Sequence, residues 1–351
     1  MQEKKLNATL NDVAEKAGVS ITTASRVLSN ANYPVSQKLK QKVHKAAAEL
    51  KYVPNVYGQM LKTNISNVIG VIVPSLQNPF YNQAIFGIES AASKEGYEIR
   101  LLSSHRTVEQ ERNNIMALLH SRIMALIIFS IDINADTLNN YIACGGKVAL
   151  LESDYELEHA ITAVTDCYAA GKTAARHLIE YGHRNIAFLT SPLTKLFRRR
   201  VLSGVKDELA KAGISFTEKD VYVADVESES TTGQYEFEIG KQLAKWVIYN
   251  PKRYTAIIAI NDITAYGVIQ ALSQHGLHVP EDVSVLGFDN IMYSEMISPP
   301  LTTIELPSNS MGFTACQMLI AKMSADETEM QSMQFKYPCV LKERKSTLPL
   351  K

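Results

Sequence analysis

Apolar residues follow two different periods along this chain. From Asn67 onward, short apolar runs such as VIGVIV, ALIIF and TAIIAI alternate with longer segments whose apolar residues recur every three or four positions. The short runs are typical of buried strands and the longer segments of amphipathic helices. Because strands and helices alternate at this spacing, we expect an α/β fold of doubly wound parallel sheets. The strands outnumber what one sheet usually holds, so the pattern predicts two subdomains that meet near Val164.

Only the helical period is present in residues 1–53. The segment TLNDVAEKAGVSITTASRVLSN predicts two short helices joined at Gly18, a residue that tolerates the left-handed turn required there. Thr9 and Ser20 are predicted as the N-caps of these helices, and Asp12 completes a capping box at the first. A third helix, QKLKQKVHKAAAELKY, is predicted to begin after a cap at Ser36.

The second predicted helix leaves Ile21, Thr22, Ser25 and Arg26 on its outer face. Two helices joined by a turn of this length form a helix-turn-helix, whose second helix enters the major groove of DNA. The alternative is a helical hairpin inside a larger core. An N-terminal unit that has its own apolar face and a basic outer face fits the DNA-binding interpretation better.

The distribution of charge favours a nucleic-acid partner, although the formal net charge of zero does not. Residues 1–62 carry ten Lys or Arg and four Asp or Glu, and the rest of the chain carries 26 basic and 32 acidic residues. This asymmetry is typical of a basic reading head on an acidic body. Lysines of the third helix either solvate its outer face or add salt-dependent contacts with phosphates. They are Lys38, Lys40, Lys42, Lys45 and Lys51.

The N-terminal segment resembles the headpiece of the LacI/GalR family of bacterial transcription regulators. The family pattern T-x-x-D-V-A-x-x-A-G-V-S-x-x-T-x-S-R-V-L-N is matched at thirteen positions from Thr9 to Leu28, and Ser29 stands where Asn is usual. The likeness continues through IGVIVP, NPFY, AIIAIND, VPEDVSVLGFD and PPLTTI. It implies a homodimeric repressor with a periplasmic-binding-protein-like core, which binds a pseudo-palindromic operator under the control of a small-molecule effector. It implies no cofactor and no metal.

By resemblance, the operator is contacted by the headpiece and by a hinge that inserts a leucine of each subunit into the minor groove. Leu61, followed by Lys62, stands at the position of this wedge, which would kink the DNA. The hinge departs from the family pattern at Gly58, Gln59 and Met60, and a plain linker is the alternative. The predicted DNA contacts are Thr9, Leu10, Ile21, Thr22, Thr23, Ser25, Arg26, Asn30, Leu61 and Lys62.

The resemblance also implies how the chain is divided. We expect the headpiece at residues 1–53, the hinge at 54–65 and the effector-binding core at 66–351. Three crossovers would join an N-subdomain (about 66–164 and 292–325) to a C-subdomain (about 165–291 and 326–351), which the last strand, around residues 337–341, would complete.

Polar residues that directly follow predicted strands are candidates for effector binding, because ligands of parallel sheets bind beyond the carboxyl ends of the strands. Glu152 and Asp154 follow VALL, Asn261 follows AIIAI, and Asp289 follows VLGF. Each could instead be a helix cap or a loop residue. Such groups suit a ligand with several hydroxyls or ring nitrogens. By resemblance the effector is a sugar or sugar phosphate, and the alternatives within the family are nucleobases, nucleosides or a phosphorylated partner protein. Two aromatic residues after the first strand complete the candidates, Phe80 and Tyr81.

An arginine that grips the effector in the family has no direct counterpart here. The family places it three residues before the glycine that corresponds to Gly204, where this chain has Val201. Either one of the preceding residues takes over the role, with Arg200 ranked first among Arg198, Arg199 and Arg200, or the effector is bound differently. A triple arginine would favour a phosphorylated ligand, because guanidinium groups match phosphate oxygens. The alternative is a solvated helix start.

No catalytic chemistry is indicated by the sequence, which contains no G-x-S-x-G, Walker loop or H-E-x-x-H. We therefore expect a regulator that is not an enzyme. The alternative is a sugar-binding protein or enzyme of the same core fold without a DNA role. The headpiece and the lack of a signal peptide argue against it.

Compartment and assembly follow from smaller features. No apolar stretch could span a bilayer and the N-terminus lacks the apolar region of a signal peptide, so we expect a cytoplasmic protein. The cysteines form no CxxC pair and are expected to be buried free thiols. No leucine heptad follows Arg344, so we expect a dimer rather than a tetramer. The cysteines are Cys144, Cys167, Cys316 and Cys339.

Overall fold

A computed structural model describes residues 8–28, 34–53, 66–153, 155, 157–225, 235–250, 252–324 and 332–350. The chain divides into two compact units, Met1–Ser66 and Asn67–Lys351. Among the helices within these described ranges, none combines the length and the apolar character that a membrane span requires.

Three helices form the described part of the first unit: α1 (Leu10–Ala17), α2 (Ile21–Leu28) and α3 (Gln37–Glu49). Ser36 occupies the N-cap position of α3, but its hydroxyl makes no capping hydrogen bond, so the prediction of a capping side chain there is wrong. Small apolar side chains of all three helices pack into one core. Its buried members are Val13, Ala14, Ala17, Ala24, Val27, Val43, Ala46 and Ala47.

The local interactions predicted for α1 and α2 are confirmed. Asp12 N donates to Thr9 Oγ1 at 3.3 Å, and the Asp12 carboxylate accepts from Thr9 N at 2.8 Å, which makes the capping box. Gly18 has φ of 64°, in the left-handed region where glycine is unstrained. Ser20 Oγ accepts from Thr23 N at 3.1 Å at the start of α2. Sequence-local rules therefore account for the turn between the two helices.

The second unit contains two six-stranded sheets, which confirms the predicted α/β class of two subdomains. The first sheet is parallel throughout, in the order β11-β5-β4-β3-β1-β2. Its strands are β1 (Val68–Val73), β2 (Glu98–Ser103), β3 (Ala125–Ile128), β4 (Lys147–Leu151), β5 (Ile161–Thr165) and β11 (Met333–Tyr337). Its helices are α4 (Pro79–Lys94), α5 (Val108–His120), α6 (Asp136–Ala143) and α11 (Ser308–Ser324).

The second sheet has the order β12-β10-β9-β8-β6-β7, and only β12 runs antiparallel to its neighbour. Its strands are β6 (Ile186–Thr190), β7 (Val221–Val223), β8 (Ala256–Ala259), β9 (Ser284–Asp289), β10 (Thr302–Glu305) and β12 (Val340–Lys342). Its α-helices are α7 (Cys167–Glu180), α8 (Leu196–Lys211), α9 (Tyr235–Ile248) and α10 (Asp262–Gln274). Two 3₁₀ turns, Glu218–Asp220 and Met292–Glu295, complete the elements.

Strand pairing corrects two of the expected subdomain assignments. β10, which lies inside the segment expected in the N-subdomain, pairs with β9 of the second sheet. β11, which lies inside the segment expected in the C-subdomain, pairs with β5 of the first sheet. The chain therefore crosses between the sheets after β5, after β10 and between β11 and β12. The sequence of a short strand does not show which sheet the strand joins, because its sheet is determined by the strands to which its backbone is hydrogen-bonded.

Pairs of glycines allow three pairs of helices to pack closely. A Cβ atom on any of these glycines would lie between 2.0 and 2.3 Å from a backbone oxygen of the neighbouring helix. The backbones of the two helices in each pair are therefore in contact at the glycines. Any other residue at these positions would force the helices to shift. The pairs are Gly87 with Gly312 (α4 and α11), Gly171 with Gly204 (α7 and α8), and Gly240 with Gly267 (α9 and α10).

The thiols differ from the expectation at one position. Among the four free cysteines, Cys167 and Cys316 are buried and Cys339 is half-buried, but Cys144 is exposed. The prediction of buried thiols is therefore wrong for Cys144. It lies directly after α6, where the chain turns at the surface.

Candidate functional site

The outer face of α2 carries the side chains predicted to contact DNA bases. Ile21 exposes 48% of its surface, and Thr22 and Arg26 are also exposed. Thr23 and Ser25 are half-buried, because the opposite side of the helix packs into the core. An arginine can bind a guanine edge and an apolar side chain can contact a thymine methyl group, so this face has the chemistry of base recognition.

The remaining predicted DNA contacts have different positions. Thr9 is exposed, and its hydroxyl already donates to Asp12 Oδ2 at 2.7 Å. Leu10 is half-buried and packs against the core of the first unit. Both residues have a structural role at the start of α1. Asn30, Leu61 and Lys62 lie outside the described residues.

Four exposed lysines lie along α3 and a fifth follows its end, so the basic surface extends over more than one side of the helix. Phosphate contacts from such lysines raise affinity for any DNA sequence, and this affinity falls as the salt concentration rises. The residues are Lys38, Lys40, Lys42, Lys45 and Lys51.

A cavity of about 350 Å³ opens in the second unit, between the carboxyl ends of the strands of both sheets. Five of the six residues predicted to bind effector line it: Phe80, Tyr81, Glu152, Asn261 and Asp289. Asp154 lies outside the described residues. Nowhere in the described part of the chain do three His, Cys, Asp or Glu side chains come together as a metal site. The cavity therefore has the position and the polar groups of a small-molecule site.

Aromatic rings from the first subdomain form one wall of the cavity. The ring centroids of Phe80, Tyr81 and Phe129 lie 5.2 to 6.0 Å apart, each pair edge to face. Phe197 of α8 lines the cavity from the second subdomain. Such rings can cover the apolar face of a sugar ring or stack on a planar heterocycle.

Asp289 is the buried acid of this cavity. It exposes only 5% of its surface, and no described residue donates a hydrogen bond to its carboxyl group. Burial raises the pKa of Asp289 well above its ordinary value, and the carboxylates of Asp262, Glu236 and Glu152 raise it further. A buried carboxyl that faces a cavity without a protein partner is suited to hydrogen bonds with a ligand.

Asp262, next to Asn261, is bonded entirely within the protein. Its carboxylate accepts from Ser294 Oγ and Thr303 Oγ1, both at 2.5 Å, and from Ile291 N at 3.0 Å. These bonds tie the start of α10 to β10 and to the turn after β9. Asp262 therefore has a structural role.

Asn261 and Glu152 combine a structural bond with a place at the cavity. Asn261 caps α10, where its Oδ1 accepts from Thr264 N at 2.8 Å. Its Nδ2 donates to no other described residue. Glu152 has φ of 49°, and its Oε1 accepts from Thr165 N at 2.9 Å. The cap interpretation and the ligand interpretation of these positions are therefore compatible.

The structure brings a different arginine to the cavity from the one predicted. Arg200 is exposed and is not among the residues that line it. Arg198 is buried, lines the cavity and donates from Nη1 to the Pro192 carbonyl at 2.8 Å. The structure therefore brings Arg198 to the cavity and leaves Arg200, which was ranked first, outside its lining. Successive residues of a helix point about 100° apart, so only one of three neighbouring arginines can face inward.

Sequence reasoning missed an ion pair that lines the cavity. Arg106 Nη2 donates to Glu236 Oε1, which also accepts from Asn78 Nδ2 at 3.2 Å. Arg106 follows β2 closely, so the rule used for Glu152 could have found it. Glu236 lies inside α9, where no sequence rule singles out one glutamate.

Sequence reasoning also missed a loop that lines the cavity after β3, residues 130–133. Glu111 of α5, which is fully buried, holds this loop. It accepts from Ser130 Oγ at 2.6 Å and from Ile131 N at 2.8 Å. Burial raises the pKa of Glu111, and these hydrogen bonds oppose the shift.

Two protein families match the chain. Residues 9–55 match the family described as bacterial regulatory proteins, lacI family, and residues 175–347 match a periplasmic binding protein-like domain. A curated relative, the HTH-type transcriptional repressor PurR of Aliivibrio fischeri (strain MJ11), is 32% identical over 92% of this chain and 94% of its own length.

The chain is also similar to solved structures of bacterial transcription regulators. The lac repressor dimer bound to operator and the anti-inducer ONPF superposes with a TM-score of 0.83 at 29% identity, over 97% of this chain and 99% of that chain. A LacI family transcriptional regulator from Enterococcus faecalis V583 with bound ribose has a TM-score of 0.70 at 30% identity, over 81% of this chain and all of that chain.

Proposed function

We propose a function from the family of this chain, which belongs to the bacterial regulatory proteins of the lacI family. It is a homodimeric repressor that binds operator DNA under the control of a small-molecule effector. It is a transcription regulator and not an enzyme. We further propose that it acts in the cytoplasm, where operator DNA is found. The observation that supports effector control most directly is the buried carboxyl group of Asp289, to which no described residue donates a hydrogen bond, at a cavity between the subdomains.

The headpiece is proposed as residues 1–53, the hinge as 54–65 and the core as 66–351. The outer face of α2 reads a half-site in the major groove, with Ile21, Thr22 and Arg26 at the base edges. Leu61 and Lys62 of the hinge act in the minor groove. Two headpieces on one dimer require a pseudo-palindromic operator, because the symmetry of the dimer is repeated in the DNA.

The effector is proposed to be an uncharged molecule with several hydroxyls, of the size of a monosaccharide. The aromatic wall suits the apolar face of such a ring, and Asp289 and Asn261 offer an acceptor and a donor for its hydroxyls. A phosphate group would lie near the carboxyl groups of Glu152 and Asp289, which disfavour a second anion, and Arg106, one of the basic residues in the lining, is already paired with Glu236. The related regulator from Enterococcus faecalis holds ribose, which agrees with this class.

Effector binding is proposed to act by a shift of populations. The effector binds one arrangement of the two subdomains more tightly than another, and the arrangement decides whether the paired headpieces fit the operator. Only a difference in affinity between the two arrangements can change DNA binding.

Thermal-shift screening against sugars, sugar phosphates, purines and nucleosides tests this proposal. A ligand at about 100 times its Kd stabilises the fold by about 2.7 kcal/mol, which raises the melting temperature by degrees. We expect a hit with an uncharged sugar that Asp289→Ala abolishes and Arg200→Ala leaves unchanged. A hit confined to phosphorylated sugars and lost in Arg200→Ala would contradict the proposed class and the proposed position of the ligand.

A further inference from the structure

An ion pair crosses the cavity from one subdomain to the other. Arg106 lies in the loop after β2 of the first sheet, and Glu236 lies in the first turn of α9 of the second subdomain. The two side chains expose only 4% and 8% of their surface. Asn78, also of the first subdomain, donates to the same carboxylate oxygen at 3.2 Å. Both walls of the cavity are thus joined through one carboxylate.

The sheet order places this contact far from the crossovers. In the first sheet, the crossover strands β5 and β11 form one edge and β2 forms the other. In the second sheet, the crossover strands β10 and β12 form one edge and β7, the strand before α9, forms the other. If the subdomains rotate about the crossovers, the loop after β2 and the start of α9 separate most. A contact at this position therefore opposes the opening of the cavity more strongly than a similar contact near the crossovers.

Another hydrogen bond between the subdomains lies close to a crossover and is longer. Gln83 Nε2 donates to the Asn290 carbonyl at 3.4 Å, and the Oε1 of Gln83 accepts from Ser308, the first residue of α11 after a crossover. Opening would change this distance less. The ion pair is consequently the better candidate for control of closure.

Burial makes the ion pair sensitive to the loss of either partner. The guanidinium group of Arg106 also lies over the ring of Tyr235, 5.6 Å from its centroid, in a region that closure shields from water. Removing one charge from a buried pair leaves the other uncompensated, which is far more costly than the net value of the intact pair. A variant that lacks one charge should therefore leave the closed arrangement.

We propose that Arg106, Glu236 and Asn78 form a clasp that holds the two subdomains closed before any effector is bound. The inference rests on the proposed function only in that it concerns the same cavity. The clasp therefore determines how the two subdomains are arranged when an effector binds. It also neutralises the charges of Glu236 and Arg106 within the wall of the cavity.

Hydrogen–deuterium exchange of the full dimeric chain, without DNA or ligand, tests the clasp. The substitution Glu236→Gln keeps the size of the side chain and removes its charge. The readout is the opposite wall, in peptides that cover residues 74–82, 104–108 and 129–133 of the first subdomain. We expect exchange there to become about tenfold faster or more, because an opened cleft exposes both walls.

A second ion pair controls for general destabilisation, with an acid that is equally buried and an arginine that is half-exposed. Glu208 is paired with Arg176 at 2.8 Å inside the second subdomain, and its side chain is also 8% exposed. Glu208→Gln should leave exchange of the first subdomain unchanged. The reciprocal variant Arg106→Met should speed exchange at residues 194–198 of the second subdomain. The exchanged pair, Arg106→Glu with Glu236→Arg, should restore slow exchange on both walls.

Unchanged exchange on the opposite wall in both Glu236→Gln and Arg106→Met would overturn the clasp. Equal acceleration by Glu208→Gln would overturn it as well, because the effect would then reflect loss of stability alone. If Glu236→Gln fails to fold, Arg106→Met and the exchanged pair decide by the same criteria. Since no ligand or DNA is present, none of these outcomes bears on whether the chain is an effector-controlled repressor.

Discussion

At the scale of single residues, Asp289 is suited to bind a ligand but lowers the stability of the folded chain. Its φ of 109° lies in a region that favours glycine, and its buried carboxyl group faces three other acids. The pKa of Asp289 is raised in the folded state, so the folded chain holds this proton more tightly than the unfolded chain. The free energy of unfolding therefore falls as pH rises from the ordinary pKa of about 3.9 through the raised value.

We expect Asp289→Asn to raise the melting temperature of the ligand-free protein at neutral pH and to lose the stabilisation by effector. The amide removes the buried negative charge, so its advantage over wild type should shrink as the pH is lowered toward 4 and both side chains become neutral. Melting curves of the two proteins from pH 4 to 8 measure this difference. A variant that is less stable than wild type at pH 8 would contradict the assignment of a raised pKa.

The sequence could predict which residues reach the cavity only where those residues directly follow a predicted strand. Asp289 and Asn261 end apolar runs, and the rule for parallel sheets places such residues at the carboxyl edge. Arg198 could not be separated from Arg200 in this way, because the inward residue depends on where α8 begins. Three successive arginines have the same chemistry, and only the structure shows that α8 begins at Leu196.

At the scale of helices and strands, close approach of α9 to α10 depends on two glycines. A Cβ atom on Gly240 would lie 2.1 Å from the Thr264 carbonyl oxygen of α10. The sequence alone gave no reason to expect this, since a glycine inside a helix is ordinarily a weak point.

The substitution Gly240→Ala should destabilise the protein by about 1–3 kcal/mol, because the helices must move apart. Helix propensity alone would give the opposite sign, a gain of about 1 kcal/mol. Urea unfolding measures the difference. Gln242→Ala, at an exposed site of the same helix, is the control and should leave stability nearly unchanged. A more stable Gly240→Ala would show that the helices do not pack as described.

Strand assignment marks the limit of prediction at this scale. The long strands and helices between residues 67 and 290 follow their apolar periods closely, but β5 was not predicted as a strand. β10 and β11 were given to the wrong subdomain. They have four and five residues, and the pattern does not show that β10 continues the sheet of β9 whereas β11 joins β5, far earlier in the chain. Periodicity identifies a strand, whereas its sheet is decided by contacts that the pattern does not contain.

At the scale of the whole molecule, one chain carries two separate binding surfaces. The first unit carries a helix face suited to base recognition, and the second carries a cavity with a buried acid. The headpiece pattern and the body pattern were both visible in the sequence. The ion pair between Arg106 and Glu236 was not, because its members are 130 residues apart and belong to different subdomains.

The most direct measurement of the central claim is the affinity for operator DNA with and without the effector. Selection from random duplexes supplies the operator, and the screen supplies the effector. Fluorescence anisotropy at fixed salt should show a change in DNA affinity of about 5- to 150-fold at saturating effector, and operator should change effector affinity by the same factor. Arg26→Ala should weaken binding by about 1–3 kcal/mol and relax base preference at one position. An operator affinity that the effector leaves unchanged would contradict the account.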